Sequence, residues 1–401
     1  MTTTKDIEIE IRNILKKINE LGYCAYLVGG AVRDKLLRLP ISDYDICTNM
    51  PLDQVKELYP RFHIMKPNSN RQVGVLNVLG VQTEIAEFKG NNIIEDIYIR
   101  DFTINTFLID YEGNIYDYLN AREDLAKKVI KLVNQDGSIF KEDPSRILRA
   151  IRLSSKLGFT IDYNCYQHML DSCHALSKAT PEKVYSELKK ILTGKYLTNI
   201  IKDIKPFILA IIPELENKDY NMIVYMLEDT PSNYLLRLFI LFNSLSLEEI
   251  TSLSIRLKID KKTINNLSEF IYYKNKLLSL KKSRINDFIN KHSIYFITAL
   301  FTYQERYFKY ISSNEQLKQL YKIEKIYYQV LYEKIQKNLH NLHINPSLFS
   351  SIQDKKELIL IEDDIIQKVI SHKLDSTPEE IKKYLLLRTW YVSLLFINYL
   401  I

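Results

Sequence analysis

A strand that stops at Gly29-Gly30, a short helical run, and a second strand carrying Asp43 and Asp45 leave few folds open to this chain. The apolar run Cys24 to Val28 ends at the glycines, and Val32 to Leu39 then carries apolar side chains at helical spacing. A strand repeats every two residues, so the two aspartates are expected on one side of it. Like charges side by side are costly unless a cation sits between them. Glycines that open a helix let backbone N–H groups approach a phosphate, and Arg33 in the first turn adds a charge-assisted contact. The stretch therefore reads as a metal site, Asp43 and Asp45, facing a phosphate site at Gly29, Gly30 and Arg33. Either half alone has a simpler explanation, a tight turn or a chance pair of surface acids. Their order and spacing together are far more specific.

The chain has 401 residues, more than one hydrophobic core usually serves, so two or more domains are expected. A net charge of +6 suits a polyanionic partner without demanding one. Cys24, Cys47, Cys165 and Cys173 form no CxxC and read as reduced thiols in a reducing compartment. The N-terminus lacks an apolar signal core, and the apolar tail Trp390 to Ile401 is too short to span a membrane. The expectation is a cytoplasmic protein with no membrane partner.

In chain order, Ile7 to Leu21 predicts an amphipathic helix and Pro51 opens another. Val73 to Leu79 and Val81 to Phe88 predict a hairpin turning at Gly80, and a second hairpin flanks Tyr111-Glu-Gly-Asn114. From about Phe140 strand signals nearly vanish and helical periodicity dominates. The expected divisions are 1–135, mixed sheet and helices, then 136–200 and 201–401, both helical.

Three further segments carry chemistry. Glu84, on the second arm of the first hairpin, would add a carboxylate to Asp43 and Asp45 and help hold a second metal; the alternative is a solvated residue on an amphipathic strand. Arg100, Asp101 and Asn105 would meet a triphosphate and sugar hydroxyls, or else mark a helix-to-strand junction capped by Asp101. Asp143, Arg146, Arg149 and Arg152 recur every three residues and predict one polar stripe on a helix, with Ile147, Leu148 and Ile151 on its packing side. An exposed helix with an ion pair would explain it. The sharper reading is a base reader. Cytosine and adenine both present an amine donor beside a ring-nitrogen acceptor, which Asp143 and Arg146 complement; guanine and uracil present the reverse.

These residues resemble the class II tRNA nucleotidyltransferase and bacterial poly(A) polymerase family. Leu27–Thr48 is similar to its motif A, Arg100–Asn105 to motif B, Asp117–Leu125 to motif C, Glu142–Arg152 to the nucleotide-reading motif, and Pro181–Leu188 to motif E. The resemblance runs from about Tyr23 to Leu192 and thins beyond. It implies an α+β nucleotidyltransferase head followed by an all-α neck, body and tail. It also implies that Asp43 and Asp45 bind Mg2+, with Gly30, Arg33 and Arg100 on the incoming nucleotide. Asp143, Arg146, Arg149 and Arg152 would lie against its base and phosphates. The implied reaction is attack of a tRNA 3′-hydroxyl on the α-phosphate of CTP or ATP, with the helical half gripping tRNA; the resemblance leaves monomer or dimer open.

The chain departs from the family pattern in three places. Motif C has Asn120-Ala121 where the family has two glycines, and motif B has Ile99 where it has a second arginine. The family's long flexible loop is reduced to Gly90–Ile94, after Glu-Phe-Lys in place of Thr-Phe-Arg. Within the family a shortened loop marks enzymes that add CC and leave the terminal A to another protein, so CCA addition and CC addition both stand. A poly(A) polymerase is disfavoured by an apolar rather than basic tail, and a non-catalytic RNA-binding relative by intact aspartates.

Overall fold

The computed structural model describes residues 4–65, 72–371 and 373–385. It forms two compact units: Met1–Asp219 with Asp229–Tyr234 and Ser252–Ile259, and Tyr220–Glu228 with Leu235–Thr251 and Asp260–Ile401.

The first unit opens with α1 (Thr4–Glu20), β1 (Ala25–Val28), α2 (Gly30–Leu36), β2 (Tyr44–Thr48), α3 (Leu52–Leu58) and β3 (His63–Met65). Then come β4 (Val73–Val78), β5 (Val81–Glu87), α4 (Ile93–Tyr98), β6 (Leu108–Ile109) and β7 (Ile115–Tyr116). The seven strands form one sheet in the order β3-β4-β5-β2-β1-β6-β7. Its pairs are antiparallel except β2 with β5. The β4–β5 hairpin turns on Leu79 and Gly80, both at positive φ (51° and 91°), the geometry that matches strand twist.

Alternation sorts each strand's side chains onto two faces. Leu27, Tyr44, Ile46, Leu76 and Ile85 pack with Ile11, Leu15 and Ile18 of α1 and Val55 of α3. The opposite face has a small cluster, Val28, Cys47 and Leu108 with Ile97 of α4. A large core on one side and a small one on the other leave room for polar residues over the middle of the sheet.

The chain leaves the sheet through α5 (Ala121–Lys127), β8 (Val129–Ile130) and α6 (Ser138–Glu142). Asn120 just before α5 takes the left-handed conformation (φ 53°, ψ 33°). Asn enters that region more readily than most residues other than Gly, so the motif C backbone keeps a glycine-like turn without the glycines. Next are α7 (Ser145–Leu157), β9 (Thr160–Ile161), α8 (Tyr163–Asp171) and α9 (Pro181–Leu192). Ile147, Leu148 and Ile151 are fully buried on the side of α7 predicted to pack, and α7 lies against α9. The predicted stripe needs one correction. Asp143 lies before α7, extended at φ −140° and ψ 94°, because a residue preceding proline is pushed out of the helical region and Pro144 follows.

The second unit is helical, including Tyr220–Leu227, Lys261–Lys276, Ile294–Tyr310, Asn314–Asn341 and Lys355–Ile370. Phe239, Phe270 and Phe296 form its aromatic centre, with Phe239 and Phe270 stacked 4.3 Å apart. Among the described residues no helix is long and apolar enough to cross a membrane. The apolar tail from Trp390 lies outside the described residues. The four cysteines carry no disulfide.

Candidate active site

β2 and β5 run parallel in a register that sets Asp45 opposite Glu84. In a parallel pair, residues at one register point to the same face, and neighbouring strands lie about 4.8 Å apart. The two carboxylates therefore share the polar side of the sheet. Asp43 falls one residue before β2, exposed, accepting from the Ser42 hydroxyl (2.9 Å). The strand that was to carry both aspartates carries Asp45 alone.

A cavity of about 240 Å³ opens over this face. Gly29, Asp45, Cys47, Glu84, Lys89, Asp96, Arg100, Asp101, Asn105, Arg146 and Arg149 line it. The Gly29 turn (φ 69°, ψ −136°) needs glycine. A Cβ there would stand 3.5 Å from an Asp45 oxygen and 3.7 Å from an Arg100 nitrogen, so the backbone itself forms the floor between acid and base.

Arg100 is aimed by Asp96, one helical turn earlier. Its Nε donates to Asp96 Oδ2 (3.0 Å) and its Nη2 to the Cys47 sulfur (3.2 Å). The i,i+4 spacing of this pair is readable in the sequence. Cys47 and Lys89 carry no comparable signal.

Asp101 accepts from Arg149 Nε (2.7 Å), Asn105 Nδ2 (2.9 Å) and the Phe102 N–H (2.8 Å). Burial pushes its carboxyl up, but the Arg149 charge and these hydrogen bonds outweigh burial and hold it below the usual range. Asn105 in turn accepts from Arg33 Nη1 (2.7 Å). Arg33 was expected at the phosphate site. It is instead buried, 5% exposed, and forked onto Asp34, and it is not among the residues lining the cavity.

Asp143, Arg146, Arg149 and Arg152 separate. Asp143 accepts from the Ser145 N–H (3.0 Å) and lies 3.5 Å from Lys183. Burial raises its carboxyl, and Ser145 and Lys183 overcome that to hold it low and charged. Arg146 and Arg149 reach the cavity; Arg152 pairs with Glu187 (3.2 Å) of α9 instead. Arg146 is the exception among the arginines. Its Nη1 is buried with no hydrogen-bond partner, the nearest acid being Glu142 at 3.9 Å. A buried unsatisfied donor costs about 1–3 kcal/mol, which argues for a partner that arrives.

Among the described residues no group of three or more His, Cys, Asp or Glu side chains is placed to hold a metal. A hard divalent cation needs less: magnesium is commonly held by one or two carboxylates, its remaining positions going to water and substrate phosphates. Asp45 and Glu84 on one face suit such an ion; Asp43, just before β2, does not line the cavity.

Residues 25–92 and 81–131 match the poly A polymerase head domain. The chain is 33% identical over 184 residues to a CC-adding tRNA nucleotidyltransferase of Halalkalibacterium halodurans, covering 46% of this chain and 48% of that one. It is 34% identical over 208 residues to a CCA-adding enzyme of Lactobacillus delbrueckii, covering 47% and 52%. The chain thus spans about half the length of the curated relatives it matches. In fold it is similar to the Bacillus stearothermophilus CCA-adding enzyme in complex with CTP, with TM-score 0.62 and 19% identity over 96% of this chain and 98% of that one. It is also similar to the Thermotoga maritima CCA-adding enzyme complexed with tRNA, with TM-score 0.59 and 21% identity over 97% and 96%.

Proposed function

We propose, from the premise that the head of this chain belongs to the class II tRNA nucleotidyltransferases and bacterial poly(A) polymerases, that the protein adds C, and A, to the 3′ end of tRNA from CTP and ATP without a template. The observation that carries this reading is the convergence on one cavity of Asp45, Glu84, Arg100 and the Arg146 nitrogen that lacks a hydrogen-bond partner.

Asp45 and Glu84, with Asp43, would hold Mg2+, which when bound makes the 3′-hydroxyl a better nucleophile and offsets charge on the leaving pyrophosphate. Arg100, braced by Asp96, meets the triphosphate. Asp101 and Asn105 offer an acceptor and a donor to sugar hydroxyls, and the Gly29-Gly30 backbone lets the phosphates come close. Arg146 donates to the ring nitrogen of cytosine or adenine while Asp143 accepts from the exocyclic amine; uracil and guanine mispair with both. The tRNA 3′-oxygen then bonds to the α-phosphorus and pyrophosphate departs. The helical half would hold tRNA by backbone and shape, which implies a cytoplasmic protein.

One observation favours a narrower reading, CC addition alone. The segment after Lys89 is a tight turn on Gly90 (φ 91°) rather than a flexible arm. The Lys89 N–H donates to Asp96 (3.0 Å), the Asn91 N–H to Glu95 (2.8 Å), and the Asn92 side chain accepts from the Glu95 N–H (3.0 Å). The test is extension of radiolabelled tRNA lacking its 3′ end by the full chain with CTP and ATP together. Products ending in CCA or CC support the two readings respectively, a long A tract supports a poly(A) polymerase, and no extension overturns all three.

A further inference from the structure

Helix α7 carries Arg146, yet the arginine that faces the base pocket has only a distant acid, Glu142, to hold it. What fixes it lies further along the helix. Arg149 Nε bonds Asp101 (2.7 Å), and Lys156 Nζ bonds Asp34 Oδ2 (3.0 Å). Seven residues separate Arg149 and Lys156, two helical turns, so both project from one face of α7. The two acids they grip are themselves joined. Asp34 Oδ1 accepts from Arg33 Nε (2.9 Å), Arg33 Nη1 donates to Asn105 Oδ1 (2.7 Å), and Asn105 Nδ2 donates to Asp101 Oδ1 (2.9 Å). Asp34, Arg33, Asn105, Asp101, Arg149, α7 and Lys156 close a ring.

Apart from Arg149 and Lys156 the ring is buried: Arg33, Asp34, Asp101 and Asn105 are each under 8% exposed. A buried network whose members satisfy one another is stiff, because each broken bond strands a partner in low dielectric. Two of its members, Asp101 and Asn105, also line the cavity that holds Asp45 and Glu84. The ring thus ties the rotation and height of α7 to α2 and to the Asp101–Asn105 segment that lines the cavity.

We propose that Lys156 is a positioning residue for base selection. Anchored to Asp34 outside the cavity, it holds α7 so that Arg146 meets the ring nitrogen of the incoming base. This rests on the function proposed above. Arg152 and the buried side of α7 keep the helix on α9. Removing the Lys156 anchor frees the edge that Asp34 holds, and a shift of about 1 Å at Arg146 spoils a directional hydrogen bond while leaving phosphate contacts in place.

The experiment compares the full-length native chain, Lys156→Met and Lys156→Arg. Calorimetric binding of CTP and UTP with Mg2+ is measured alongside kcat/KM for each on tRNA lacking its 3′ end. Lys156 is half exposed, so the methionine variant is expected to fold, and its thermal midpoint checks that. The expected result is a CTP-over-UTP preference reduced about tenfold in Lys156→Met and restored in Lys156→Arg, with KM for tRNA unchanged. A native preference kept intact in Lys156→Met overturns the proposal and leaves the function standing. Equal loss of rate on both nucleotides, with the preference unchanged, overturns it as well. A native chain that does not prefer CTP overturns the function and the positioning role together.

Discussion

Asp45 and Glu84 stand at one register on the parallel strands β2 and β5, although they come from separate parts of the chain joined by a helix and a hairpin. This is the one parallel pair of the seven-stranded sheet. An antiparallel pair would alternate close and wide spacings along the strands; here parallel register brings the carboxylates together on the cavity face.

The first prediction concerns these acids. Asp43→Ala and Asp45→Ala are expected to abolish transfer, and Glu84→Gln to lower it by about 10- to 100-fold, as loss of a supporting ligand usually does. Initial rates against Mg2+ concentration check this. The Glu84→Gln curve should move to higher Mg2+, and a curve that only falls in height would remove Glu84 from the metal site.

Arg146→Met should separate function from stability. The methionine fills the arginine's volume and removes the buried nitrogen that lacks a hydrogen-bond partner. Its thermal midpoint is expected to equal or exceed the native value, while the preference for CTP over UTP disappears. A markedly lower midpoint would mean the guanidinium already has the contacts it needs.

Asp101 gives a pH signature. Despite burial, which raises it, its pairing with Arg149 holds the carboxyl below the ordinary value of 3.8. A depressed carboxylate stabilises the fold fully above its unfolded value and loses that contribution as pH falls through the folded one. Asp101→Asn should therefore be less stable than the native chain by a constant margin above about pH 5, a margin that closes below 3.8. Urea denaturation at a series of pH values measures it. A margin that widens on acidification would contradict the assignment.

Gly90 should resist substitution. At φ 91°, a Cβ would stand 2.4 Å from a Glu95 carboxylate oxygen and 2.7 Å from Glu95 Cβ. Gly90→Ala is expected to destabilise the first unit by about 1–3 kcal/mol, through strain and overpacking. An unchanged urea midpoint would show that the turn gives way freely.

The features legible in the sequence are the local ones. Gly29-Gly30 needs its backbone geometry, the β4–β5 hairpin declares itself through Gly80, and Ile147, Leu148 and Ile151 mark the packed side of α7 by spacing alone. Pro144 also carried a readable signal, since it expels Asp143 from the helix; a period of three residues concealed it. Arg33 misleads because the glycines and the charge suggest a phosphate, while the adjacent Asp34 and the distant Asn105 claim its guanidinium. The Asp34–Lys156 contact spans 122 residues and has no local signature. Such contacts exist only once the sheet and α7 are packed together.

The central claim is that this cavity selects a nucleotide by its base and transfers it to RNA. The most direct test offers the full chain, with Mg2+ and tRNA lacking its 3′ end, each of the four nucleoside triphosphates alone. Incorporation from CTP, with UTP and GTP unused, is the result that the proposed pairing of Asp143 and Arg146 with a cytosine gives. Equal use of all four, or incorporation from none, would contradict it.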